Sequence, residues 1–149
     1  MFAVGTDAVY NGLVLLYDGT SWSTIAVMTE TSLYGIWGNS SSNVYAVGYT
    51  STGDWAVILH FDGSSWSAMP NQLTGANGLN GVWGSAPSDV FAVGPDYYTG
   101  PVVIAHYDGS SWSAIATGTT ANLQGVWGSS ATDLFAVGQG GIILHYGQN

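Results

Sequence analysis

Short apolar runs, each four to seven residues long and bounded by Gly, Asp, Asn or Ser, recur from one end of this sequence to the other. The third recurrence shows them most fully: Gly81-Val82-Trp83-Gly84, then Ser88-Asp89-Val90-Phe91-Ala92-Val93-Gly94, then His106-Tyr107-Asp108-Gly109-Ser110-Ser111-Trp112-Ser113. The runs are rich in aromatic and β-branched residues, which predicts strands. No stretch combines apolar residues at helical spacing with helix start and stop signals, so no helix is expected. Asp18-Gly19, Asp62-Gly63 and Asp108-Gly109 each join two runs, where a tight turn needs the positive φ that glycine adopts without strain. Gly5, Gly48, Gly94 and Gly138 are expected to end the strand that carries Phe/Tyr-Ala-Val.

The runs share one period. Phe/Tyr-Ala-Val-Gly begins at Phe2, Tyr45, Phe91 and Phe135, in steps of 43, 46 and 44 residues. Gly-Ile/Val-Trp-Gly begins at Gly35, Gly81 and Gly125, and the aromatic-Asp-Gly element begins at Tyr17, Phe61 and Tyr107. Each unit reads as four strands: a holds the Trp of Gly-Val-Trp-Gly, b holds Phe-Ala-Val, c holds Ile-Leu-His-Tyr, and d starts at the Trp of Ser-Ser-Trp-Ser. A repeat of about 44 residues matches one four-stranded blade of a β-propeller. The expected fold is therefore an all-β propeller, one domain over residues 1–149, with about 3.5 blades. Its units are about 1–34 (b, c and d), 35–80, 81–124 and 125–149 (a, b and c), fourteen strands in all.

Both ends are ragged. The first unit lacks an inner strand and the last lacks an outer one. Three arrangements are compatible with these ends: a single ring of four imperfect blades, a ring or array shared between copies, or a piece of a longer repeat protein. Open strand edges invite pairing, so a homo-oligomer is the expected state.

Composition narrows the partners. Hydrophobic residues make up 46% of the chain and aromatic residues 13%, which is a foldable composition. There is no cysteine, which removes disulfides and thiolate metal sites. There is also no lysine or arginine, and the formal charge is −9. Nucleic acid and anionic membrane surfaces need cations to replace released counterions, so both are poor partners. The apolar runs are far too short to span a bilayer as helices. The surface must be built from Ser, Thr, Asn, Gly and Tyr, and such neutral polar surfaces point to an extracellular or cell-surface location. Met1 stands directly before strand b, so no secretory leader is read here.

The residues also carry a resemblance. Phe135-Ala136-Val137-Gly138-Gln139-Gly140-Gly141-Ile142-Ile143-Leu144-His145-Tyr146 resembles the repeat of photosystem-assembly-factor-like propellers. Tyr107-Asp108-Gly109-Ser110-Ser111-Trp112 resembles a degenerate Asp-box, the c–d turn of sialidase-type and related propellers. The resemblance covers essentially the whole chain at repeat level. It implies the fold and leaves the activity open, because propeller repeats host many functions. Sialidases, as the resemblance would imply, grip a substrate carboxylate with arginines, and this chain has none.

Candidate chemistry is sparse. His60, His106 and His145 occupy one place in strand c, where the first unit has Leu16. Equivalent positions outside the innermost strands stand far apart, so these are read as half-buried imidazoles bonded to a neighbouring turn. Asp89 and Asp133 open strand b, and Asn43 stands in the matching place. That interchange argues for side-chain-to-backbone turn bonds and against proton transfer. No segment has a calcium-loop pattern. No nucleophile–base pair or metal motif emerges, so no enzyme activity, cofactor or metal is expected. Trp37, Trp83 and Trp127 in strand a, with Trp22, Trp66 and Trp112 in strand d, are expected to pack between blades.

The aromatics that break the repeat lie in the b–c connections, which share one rim with the d–a connections. They include Tyr10, then Tyr49, Asp54 and Trp55, then Asp96, Tyr97 and Tyr98, and finally only Gln139-Gly140-Gly141. Variable loops on a rigid scaffold are where recognition resides. The reading is a non-catalytic extracellular binding and assembly module, self-associating through its incomplete ends, with a glycan bound through Tyr49, Asp54, Trp55, Asp96, Tyr97 and Tyr98. The alternative is a purely structural subunit of a ring or filament.

Overall fold

The computed structural model describes residues 1–50, 52, 55–71, 73, 76–95 and 102–147; of Trp55 and Val103 it describes the backbone. The described strands form four antiparallel sheets, and each strand pairs with its neighbour in sequence. The first sheet holds β1 (Phe2–Thr6), β2 (Gly12–Tyr17) and β3 (Trp22–Met28). The second holds β4 (Thr31–Ser40), β5 (Asn43–Thr50), β6 (Trp55–Phe61) and β7 (Trp66–Ala68). The third holds β8 (Gly81–Ala86), β9 (Asp89–Val93), β10 (Val103–Tyr107) and β11 (Trp112–Ala116). The fourth holds β12 (Leu123–Ser130), β13 (Asp133–Gly138) and β14 (Ile143–Gly147).

The repeat governs the register. Trp37 pairs with Tyr45, Trp83 with Phe91 and Trp127 with Phe135, so the same side chains stand opposite each other in successive sheets. A register shift follows the Trp-Gly pair each time, between Gly38 and Ser40, Gly84 and Ala86, and Gly128 and Ser130. Gly5 and Gly48 do not end their strands as the pattern suggested. The β5–β6 hairpin keeps its ladder beyond Gly48, through Tyr49 opposite Ala56 and Thr50 opposite Trp55. A 3-10 turn at Gln139–Gly141, where no helix was expected, connects β13 to β14. Gly140 and Gly141 both take positive φ there, which lets three residues reverse the chain.

The sheets stack face to face in sequence order, β4 against β8 and β8 against β12. Strand alternation sends the first and third residues of each Phe/Tyr-Ala-Val triplet towards the next sheet, and the alanine towards the previous one. Three apolar layers result. Val14, Leu33, Ala46 and Leu59 meet between the first and second sheets. Tyr45, Val47, Ile58, Val90 and Ala92 meet between the second and third. Phe91, Val93, Ile104, Leu134 and Ala136 meet between the third and fourth. Fully burying one such side chain stabilises by about 1.5–3 kcal/mol, so these layers hold the sheets together. The connection after β7 also enters the core, because Leu73, Ala76 and Leu79 are buried with the second layer.

Candidate functional site

Antiparallel meanders put the a–b and c–d turns on one rim of the stack and the b–c and d–a connections on the other. The first rim is built the same way in unit after unit. Asp18 Oδ1 accepts hydrogen bonds from the Thr20 and Ser21 amides at 2.7 and 2.9 Å and from the Thr20 hydroxyl at 2.8 Å. Asp62 and Asp108 repeat this with Ser64 and Ser65, and with Ser110 and Ser111. The glycine after each aspartate has φ of 110°, 99° and 93°, in the left-handed region the turn requires. The donors hold all three carboxyls down at about 2; the Ser21 amide leads at Asp18, the Ser65 amide at Asp62 and the Ser110 hydroxyl at Asp108. These aspartates are committed to their own turns.

The histidines lie on the same rim. His106 Nε2 donates to Asp89 Oδ1 at 2.7 Å, and Asp89 Oδ2 accepts from the Ser85 hydroxyl. His145 Nε2 donates to Asp133 Oδ1 at 2.8 Å, and Asp133 Oδ2 accepts from the Ser129 hydroxyl at 2.5 Å. His60 Nε2 donates to Asn43 Oδ1 at 2.6 Å, and Asn43 Nδ2 donates to Asn39 Oδ1 at 2.8 Å. The partners of Asp89, Asp133 and Asn43 are therefore side chains, not the backbone groups the sequence suggested, because strand pairing brings the b-strand start beneath the c-strand imidazole. Each imidazole also lies on the aromatic ring of its own b strand, His106 on Phe91 at 4.3 Å and His145 on Phe135 at 4.5 Å. Serine, aspartate and histidine meet here in an order unlike that of a nucleophile–base pair. The carboxylate stands between hydroxyl and imidazole, whereas hydroxyl activation needs the imidazole in the middle. The signal for these clusters was a serine or asparagine four residues before Asp89, Asp133 and Asn43. Burial pushes the His60 imidazole below its ordinary value, against the weaker upward pull of Asp62. Among the described residues no three His, Cys, Asp or Glu side chains gather to hold a metal ion.

The second rim carries the candidate binding aromatics. Tyr49 lies in β5 and Trp55 starts β6, and the ladder sets both in one hairpin. The connection after β7 runs alongside: the Leu79 amide bonds to Gly48 O and the Ala76 carbonyl accepts from the Ala56 amide. Part of the space beside Tyr49 is thus taken by the chain's own backbone. Asp54, Asp96, Tyr97 and Tyr98 lie outside the described residues. In the first unit Tyr10 is exposed at a φ of 64°. Asp7 accepts from the amides of Val9 and Asn11 within that turn, and these bonds, Asn11's first, lower its carboxyl pKa.

Of the six repeat tryptophans, four lie between sheets and two are exposed. Trp37 and Trp83 join the second and third layers, while Trp66 and Trp112 meet Phe2 and Tyr45 of the preceding sheet in T-shaped pairs. Trp22 and Trp127 are exposed. They hold the same places in the repeat as the buried four, but they stand on the outward faces of the first and last sheets. An open recess of about 410 Å³ lies beside the inner edge of the first sheet, lined by Met1, Phe2, Trp37, Gly38 and Val44 among others.

No family model matches this sequence, and no curated protein matches it. Solved structures do. The structure described as YCF48 bound to D1 peptide superposes with a TM-score of 0.66 at 15% identity, over 99% of this chain and 50% of that one. YCF48 from Cyanidioschyzon merolae gives 0.64 at 15% identity, over 97% of this chain and 50% of that one. The chain thus spans about half the length of these neighbours, and what it shares with YCF48, a photosystem assembly factor, is a propeller-like fold.

Proposed function

We propose that this chain is a non-catalytic binding and assembly module whose sheets serve as propeller blades, four-stranded in the middle and three-stranded at the ends. The observation that carries the reading is the contrast between its rims. The c–d turns of the first three units are closed by the same bonds, in the manner of a degenerate Asp-box, and each a–b turn ties the start of strand b to a side chain four residues earlier, while the b–c connections differ in every unit. Repeated turns make a scaffold and differing loops on it make specificity. Carbohydrate is the first ligand class, taken by Tyr49, Asp54, Trp55, Asp96, Tyr97 and Tyr98. Aromatic faces stack on sugar rings, Asp and Asn accept hydroxyls, and a chain without Lys or Arg has little to offer an anionic ligand. The neutral polar composition supports an extracellular location. A peptide is the second reading, favoured by the neighbour YCF48 described bound to a D1 peptide.

Tryptophan fluorescence during titration with a panel of uncharged oligosaccharides, and separately with cationic peptides, tests the proposal. A saturable change with a sugar, lost in Trp55→Ala, supports glycan binding. Saturation by peptides alone moves the ligand class to the second reading. Silence towards both, in a protein of defined oligomeric state, replaces the binding module with a purely structural subunit.

A further inference from the structure

We infer that the chain associates head to tail with a second copy of itself, the outer face of its last sheet seated on the outer face of the other copy's first sheet. The inference rests on the assembly reading above and names the surfaces it uses.

Three junctions inside the chain define how one sheet meets the next. The forward side of each sheet offers an aromatic and a valine from strand b and a β-branched residue from strand c. These are Phe2, Val4 and Val14; then Tyr45, Val47 and Ile58; then Phe91, Val93 and Ile104. The rear side of the following sheet receives them with an aromatic at the end of strand c and the tryptophan that opens strand d. Phe2 meets Phe61 and Trp66 at 5.6 and 6.2 Å between ring centres. Tyr45 meets Tyr107 and Trp112 at 6.1 and 6.4 Å.

Both outer faces of the stack keep these residues without a partner sheet. On the last sheet the forward set is Phe135, Val137 and Ile143, which are 38%, 44% and 69% exposed; Phe91, Val93 and Ile104 one sheet earlier are at 2%, 0% and 5%. On the first sheet the rear set is Leu15, Tyr17 and Trp22, and Trp22 is 47% exposed where Trp112 is 4%. Tyr17 and Trp22 already stand as a ring pair at 5.2 Å, as Tyr107 and Trp112 do at 5.4 Å. The receiving half of the junction is therefore preformed. Among the described residues every large exposed hydrophobic except Tyr34 belongs to the first or last sheet or its turns. A concentration of exposed apolar surface at two opposite ends marks interaction surfaces. The two ends differ from each other and each matches the other's complement, so a second copy fits both. Such a heterologous contact builds rings when its rotation closes and filaments when it does not. Neither set contains a charged residue, and the repulsion between two chains of charge −9 is long-range and screened by salt.

Sedimentation velocity and light scattering on the 149-residue chain test this, over a range of concentration and salt. The expected result is a species heavier than 15.5 kDa whose share grows with both. Phe135→Asp removes the forward face and Trp22→Asp the rear face. Both positions are exposed, so circular dichroism and thermal unfolding should show folded proteins, and Val137→Asp repeats the forward test at a second position. Each variant alone should self-associate about thirtyfold or more weakly, as for loss of a central anchor. Mixing Phe135→Asp with Trp22→Asp should restore a one-to-one pair that grows no further, because each brings one intact face. A chain that stays monomeric at high concentration and salt overturns the proposal, and points to further repeats of a longer chain as the cover for these faces. A Trp22→Asp protein that still self-associates, or a mixture that fails to pair, overturns the head-to-tail geometry. Sugar or peptide binding by the monomeric variants would show that the rim reading stands even if this one falls.

Discussion

Gly84 in β8 has no side chain where the indole of Trp37, from the sheet before it, needs room: a Cβ on Gly84 would stand 2.6 Å from Trp37 Cη2. Gly128 and Trp83 repeat the relationship one sheet on, at 2.9 Å. Gly38 is the matching residue of the second sheet, and its nearest neighbours are Asn43 and Val44 of its own hairpin, with no indole.

These three glycines allow a controlled comparison. Each sits beside its own a–b turn, so an alanine at any of them strains the hairpin. Only Gly84→Ala and Gly128→Ala also collide with an indole. Overpacking of a filled site costs about 1–3 kcal/mol, so Gly84→Ala should lower stability more than Gly38→Ala by an amount in that range. Adding Trp37→Phe to Gly84→Ala should return part of the loss, and the coupling between the two changes is the direct measure of the contact. Urea unfolding of the parent, Gly38→Ala, Gly84→Ala, Trp37→Phe and the Gly84→Ala/Trp37→Phe double variant reads it. Equal costs for Gly38→Ala and Gly84→Ala would contradict the packing described.

Acid should weaken the fold through its repeated turns. Asp18, Asp62 and Asp108 have their carboxyls held at about 2 by turn donors, below the ordinary 3.8. A group whose pKa is lower folded than unfolded stabilises the fold above its unfolded value and loses that contribution as pH falls through the folded one. Stability should therefore decline between about pH 4 and pH 2. Replacing all three with Asn keeps a carbonyl acceptor in each turn and removes the titration. The triple variant should show a flatter decline over that window in thermal melts. An unchanged slope would place the acid sensitivity elsewhere.

Much of this architecture was legible in the sequence because it is written three or four times. A single Asp-Gly is a weak signal, but Asp18, Asp62 and Asp108 at one period fix a turn, and the structure gives each the same donors. The strands followed from the same periodicity. What the repeat concealed was context. Trp22 and Trp127 look like Trp112 and Trp83 in sequence, and their exposure depends on whether another sheet precedes the first or follows the last, which no local pattern records. The buried connection through Leu73 and Leu79 was also hidden, because it occurs once and lacks a strand's alternation. The partners of Asp89 and Asp133 were missed for a third reason. A turn aspartate and a bridging aspartate look alike until the strand register sets His106 and His145 above them.

His60 offers a check on that register. It is the one histidine of the three whose b-strand partner is an amide, Asn43, instead of a carboxylate, and burial lowers its pKa. Its neutral form is favoured in the fold, so its contribution is present above the ordinary value of 6.5 and fades as pH falls through the lower folded value. Asn43→Asp would set a negative charge where Asn43 Oδ1 now accepts. The imidazolium would then be stabilised and the His60 pKa should rise. Nuclear magnetic resonance titration of the imidazole C–H signals measures this directly, and an unmoved value would mean that Asn43 and His60 are not in contact.

Phe91 and Phe135 separate what a side chain does within its sheet from what it does between sheets. Phe91 and Phe135 hold the same place in the repeat, pair with Trp83 and Trp127 across the same register, and stack on His106 and His145 at similar distances. Phe91 is also buried against the fourth sheet, where Tyr146 lies 6.1 Å away, while Phe135 faces outward. Truncating a buried phenylalanine costs about 3–5 kcal/mol. Phe91→Ala should fall in that range, and Phe135→Ala should cost much less in dilute solution, because the contacts it loses lie within one sheet. The gap between the two should then depend on concentration. If a second copy covers Phe135, association stabilises the folded chain by mass action, and Phe135→Ala forfeits that share. The deficit of Phe135→Ala relative to the parent should grow as protein concentration rises, while that of Phe91→Ala holds nearly steady. A gap that ignores concentration, in the range where the parent is heavier than one chain, would mean that the assembly uses some surface other than Phe135.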